Sequence, residues 1–161
     1  DWTNPGPGGF YDDLGRSGSQ PHLVRGVGPE EDPAFRRTAL LSFATLEPEA
    51  PWRSSWWDHA EALIDSKLTL RYASLDRQAE YKLRVVYGGE AQPIPMRLVA
   101  DGKFELHSYR PREMPPRPVE FDIPQEATAD GALTLEWNRT PGLGGSGRGC
   151  QVAEVWLMKK R

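Results

Sequence analysis

The residues best placed to do chemistry lie in "PWRSSWWDHAEALI" (51–64), which sets three of the six tryptophans beside an acid, a histidine and a second acid. An indole can stack on the C–H face of a pyranose while neighbouring polar groups fix the hydroxyls. On that reading Trp56 or Trp57 is the platform, and Asp58, His59 and Arg148 are its polar partners. The rival reading buries the indoles in a core or against a neighbouring domain, as most tryptophans are buried. Asp58 and Glu61 stand three apart, the spacing of a helix capping box, so a short helical turn is expected over "HAEALI" (59–64). Capping then accounts for both acids without catalysis.

Other motifs carry less. "GLGGSG" (142–147) satisfies G-x-G-x-x-G, but a strand pattern follows where a dinucleotide site needs a helix and a later acid. It reads as a loop between two strands, with Arg148 as its charged reach. "GGFYDDLG" (8–15) holds adjacent carboxylates, Asp12 and Asp13, which are the candidates for a structural calcium. Adjacent Asp residues also serve turns or point apart. His22, His59 and His107 have no zinc-binding spacing, and no Gly-x-Ser-x-Gly elbow occurs. No catalytic residue and no obligatory cofactor is expected.

Bulk properties narrow the class further. A net charge of −3 without a polybasic block gives nucleic acid no electrostatic footprint. No apolar run approaches the ~18 residues of a membrane span. The one cysteine, Cys150, excludes an internal disulfide. The chain opens on Asp1, and we read it as a piece of a larger protein.

The elements that must position these residues are mostly strands. Sixteen glycines and fifteen prolines in 161 residues suit short strands joined by turns. Residues 1–33 read as an irregular arm and 34–161 as a single sandwich domain. "TALLSFATL" (38–46) fits a strand or a helical turn equally. From Lys67 the apolar period is two: Leu68, Leu70 and Tyr72 share a face, as do Tyr81, Leu83, Val85 and Tyr87. "MRLVADGKFELH" (96–107) is a hairpin turning at Asp101–Gly102. "PVEFDIP" (118–124) reads as a strand whose flanking prolines mark a sheet edge or a strand end, and "LTLEW" (133–137) as another strand. In "CQVAEVWLMKK" (150–160), alternation puts Val152 with Trp156, opposite Ala153, Val155 and Leu157. Apolar residues on both faces place that strand centrally. The expected fold is all-β, a two-sheet antiparallel β-sandwich of the jelly-roll kind, with an irregular N-terminal arm and one short helix.

Six stretches together carry a resemblance: "PGPGGFYDDLG", "HLVRG", "WWDHAEAL", "YKLRVVYGG", "PVEFDIP" and "GLGGSGRGCQVAEVWL". They resemble a C-terminal accessory β-sandwich domain of large secreted bacterial proteins related to glycoside hydrolases. The closing loop and "EVWL" are similar to the last strands of galactose-binding-like jelly rolls. This resemblance implies a non-catalytic carbohydrate-binding or accessory module, secreted or periplasmic. Its partners would be a polysaccharide or oligosaccharide and other domains of the parent chain, with neither nucleic acid nor membrane. One rival is a structural domain packed on a catalytic neighbour; the other is a glycoside hydrolase in its own right.

Overall fold

The computed structural model describes residues 1–16, 18–28, 30–37, 54–89, 94–113, 116–142 and 148–160. Trp52, "TALLSFATL" and residues 143–147 of the glycine-rich loop lie outside the described residues.

Among the described residues, ten strands form two antiparallel sheets. In chain order they are β1 (Phe10–Asp13), β2 (Ala34–Arg37), β3 (Asp58–Leu63), β4 (Leu68–Tyr72), β5 (Tyr81–Tyr87), β6 (Met96–Ala100), β7 (Phe104–Arg110), β8 (Val119–Ile123), β9 (Leu133–Arg139) and β10 (Arg148–Lys159). The larger sheet runs β2-β3-β10-β5-β8, with β1 also on β10; the smaller runs β4-β9-β6-β7. The expected two-sheet sandwich is therefore what the chain builds. Its core comes from the period-two faces: Leu68, Leu70 and Tyr72, with Leu133, Leu135 and Trp137 on the paired strand, share one cluster with Tyr81, Leu83, Val85 and Tyr87 of the other sheet. Trp137 can be buried because its indole N–H donates to Tyr87 Oη at 2.9 Å. The β6–β7 turn has Asp101 at φ 53° and Gly102 at φ 64°, both positive as a type I′ turn requires. The proline-flanked β8 sits at a sheet edge, where a missing ladder N–H costs least.

Three expectations are corrected. Residues 59–64 are not a helical turn: β3 covers Asp58–Leu63, and the helical residues precede it as a 3-10 turn at Ser54–Trp57. A lone helical turn leaves most of its backbone groups unpaired. As a strand the segment pairs on both sides, with β2 and β10. The arm is not wholly irregular, because β1 pairs Phe10–Asp13 with Leu157–Glu154. Strict alternation also fails in β10. Val152 faces Tyr87 and Glu154 faces Val86, so Ala153 is an extra residue, a β-bulge. Past it the faces exchange: Val152, Val155 and Leu157 lie in the core, while Trp156 turns to the outer face with Ala153.

At the end of β3, Ile64 sits at φ 49° and is 53% exposed. A β-branched residue there costs roughly 1–2 kcal/mol, which asparagine largely escapes. Ile64→Asn is expected to stabilise the fold by about 1 kcal/mol, read as a higher urea midpoint at unchanged slope. A lower midpoint would refute it.

Candidate functional site

Strand parity decides what β1 presents. Tyr11 opposes Trp156 and Asp13 opposes Glu154, both on the outer face of the larger sheet; Asp12 opposes the core residue Val155. Asp12 is fully buried. Its carboxylate meets His22 Nδ1 at 2.8 and 2.9 Å and accepts Tyr72 Oη–H at 3.2 Å. The adjacent acids thus point to opposite faces and cannot jointly hold a cation, so the calcium candidates Asp12 and Asp13 do not form one site. Asp12 instead ties the 20–23 turn to the sheet.

Asp13 opens into an outer-face cleft of about 850 Å³ lined by Trp2, Tyr11, Asp13, Arg16, Ser55, Arg37 and Asp58, among others. One wall is aromatic. Trp2 lies edge-on to Tyr11 at 6.0 Å and to Trp156 at 5.6 Å between ring centroids. Trp156 Nε1 donates to the Trp2 carbonyl at 3.2 Å, which fixes the N-terminal residues there. Beneath that wall lie Trp56, Val86 and Ala153. The opposite side is polar: Arg37 donates to both oxygens of Asp58 at 3.2 Å. A Cβ on Gly15 would fall within 2.5 Å of Asp58, so glycine lets the loop after β1 lie on the start of β3. That contact joins Asp13 and Asp58 in one cleft.

Burial raises the pKa of Asp13, and the charge of Asp58 adds to it, against the backbone amide of Gly15. Asp13 Oδ1 and Ser55 Oγ are shielded from solvent and take no hydrogen bond among the described residues. Native structures leave few such groups unmatched, because each costs roughly 1–3 kcal/mol.

A second polar cluster lies on the same face. His59 and Glu61 on β3 are fully buried. Glu61 meets Arg36 Nε at 2.5 Å, the Gln151 amide at 2.6 Å and Arg148 at 3.7 Å. Burial lowers the His59 pKa to about 4, helped by the charges of Arg112, Arg148 and Arg36. Gly89, at φ 106°, would put a Cβ 2.0 Å from Gln151 Oε1, so the glycines ending "YKLRVVYGG" let the chain close over this cluster.

No family model and no curated protein matches the chain. Among solved structures it is similar to the ANX1 ectodomain from Arabidopsis thaliana, with a TM-score of 0.65 at 11% identity, covering 93% of this chain and 47% of that one. The plant receptor-like kinase ANX2 gives a TM-score of 0.64 at 12% identity, with 93% of this chain and 47% of that one covered. The chain thus spans about half the length of these structures. At such identities the likeness is one of fold, a β-rich sandwich.

The five residues expected to form one site are not brought together in one place. Asp58 lines the cleft. His59 and Arg148 belong to the Glu61 cluster. Trp57 is half-buried. Trp56 is only 5% exposed in the layer under the aromatic wall, so its indole is no open platform. The cleft's own aromatic residues, Trp2 and Tyr11, belong to an arm whose glycines and prolines hide its strand. The signal was present in "FYDD", whose alternation puts Tyr11 and Asp13 on one face.

Proposed function

We propose that this domain is a non-catalytic carbohydrate-binding accessory module of a larger secreted protein, and that the sugar lies in the cleft between Tyr11, Asp13 and Asp58. What carries the reading is an aromatic wall facing two buried polar atoms, Asp13 Oδ1 and Ser55 Oγ, that have no protein partner among the described residues. A pyranose offers both complements: apolar C–H faces for the rings and hydroxyls for the polar atoms. The fold supports an extracellular setting, since similar sandwiches occur in ectodomains. Spanning about half of those structures fits a module within a longer chain.

The test is an oligosaccharide titration followed by tryptophan fluorescence, since Trp2 lines the cleft and packs edge-on against Trp156. A saturable response is expected from at least one plant or microbial glycan. Trp2→Ala should weaken it about tenfold, the scale of one lost aromatic contact. A flat response across the whole panel would remove the proposal.

A further inference from the structure

The lining of the cleft also says which sugars fit. Its charged groups are two carboxylates, Asp13 and Asp58, and two guanidinium groups, Arg16 and Arg37. Asp58 and Arg37 satisfy each other across β2 and β3. Beside Asp13 on the outer face, its cross-strand partner Glu154 on β10 accepts the Tyr11 hydroxyl at 2.9 Å. Arg16 follows in the loop after β1 as an exposed group. The charges that face Asp13 are therefore Asp58, Arg16, Arg37 and Glu154.

A uronate placed at the floor would set its carboxylate beside Asp13 and Asp58, and the Arg37 guanidinium is already held by Asp58. Two like charges at that distance disfavour binding. An ammonium sugar would have to compete with Arg37 for Asp58 and with Arg16 for Asp13. A neutral hydroxyl avoids both conflicts, since it can donate to Asp13 Oδ1 while a second hydroxyl exchanges a hydrogen bond with Ser55 Oγ.

Building on the carbohydrate reading above, we infer that Asp13 is the specificity-determining residue of the cleft, that with Ser55 it reads a pair of hydroxyls, and that the ligand is a neutral glycan bound to the Asp13 carboxylate. Proton linkage follows. Burial and Asp58 favour the protonated acid, whereas a donated sugar hydroxyl favours the carboxylate. Wherever the free protein holds Asp13 protonated, binding expels that proton, so affinity falls as acidification protonates the acid.

Isothermal titration with cellohexaose, xylohexaose, mannohexaose and laminarihexaose as neutral probes tests this, with hexagalacturonate and a chitosan hexamer as charged probes, at pH 7 and pH 4.5. A neutral probe should bind at least tenfold more tightly than either charged one, and more weakly at pH 4.5. Asp13→Asn should weaken it about tenfold at pH 7 and flatten the pH dependence; Ser55→Ala, which leaves the charges untouched, should weaken it at both pH values. Two results overturn the inference while sparing the carbohydrate reading: tightest binding by a charged probe, or wild-type affinity and pH profile in both variants. Absence of binding by every probe overturns both.

Discussion

Glu61→Ala is expected to lower the free energy of unfolding by about 3 kcal/mol, the scale for breaking a buried ion pair from one side. Glu61 is fully buried and gathers Arg36, Arg148 and the Gln151 amide around one carboxylate. Truncation leaves two guanidinium groups facing each other and takes the acceptor from Gln151. The arginine side chains remain 47% and 30% exposed, so water recovers part of the loss, which places the estimate at the lower end of the range. Glu61→Gln keeps the acceptor and the shape while removing the charge, so it should lose less. Urea unfolding of the three proteins measures both. A change below 1 kcal/mol in the alanine variant would mean that the cluster is solvated rather than buried.

The same residue shows why part of this architecture could be read from sequence and part could not. Where apolar residues alternated with charged ones, as in "KLTLRY" and "YKLRVVYGG", the strand and its inward face were plain. In β3 the alternation is carried by alanine on the inner side, Ala60 and Ala62, and by His59 and Glu61 on the outer. Alanine is the strongest helix former, and Asp58-x-x-Glu61 mimics a cap, so local signals pointed to a helix. Pairing on both edges overrode them. The β10 bulge is likewise invisible in the residue pattern, because it depends on the register against β5. The candidate site suffered for a related reason. Its two halves, "FYDD" and "WWDH", lie more than forty residues apart, and only the pairing of β1 and β3 with β10 brings them to one face. Each half suggests its own chemistry, calcium for the first and sugar for the second, but neither motif encodes the other's proximity.

The pH dependence of stability gives the other large effect. His59 is fully buried, with its pKa lowered to about 4 by burial and by Arg112, Arg148 and Arg36. In the unfolded chain the imidazole titrates near its ordinary 6.5. Above that value both states hold it neutral, and its contribution is fully present. As the pH falls from 6.5 to about 4 the unfolded state takes up a proton that the native state refuses, so stability is lost throughout that window. The full difference amounts to about 3 kcal/mol. His107, also lowered by burial, works in the same direction. Asp13, whose pKa is raised, works in the opposite one, because its native form prefers the proton. The contribution of His59 is isolated by comparing wild type with His59→Gln, which cannot titrate. Urea midpoints taken from pH 7.5 to pH 4 should fall more steeply for wild type, with the two curves converging toward acid. Parallel curves would mean that His59 gains its proton at an ordinary pH, and that the guanidinium groups around it are offset more completely than Glu61 alone provides.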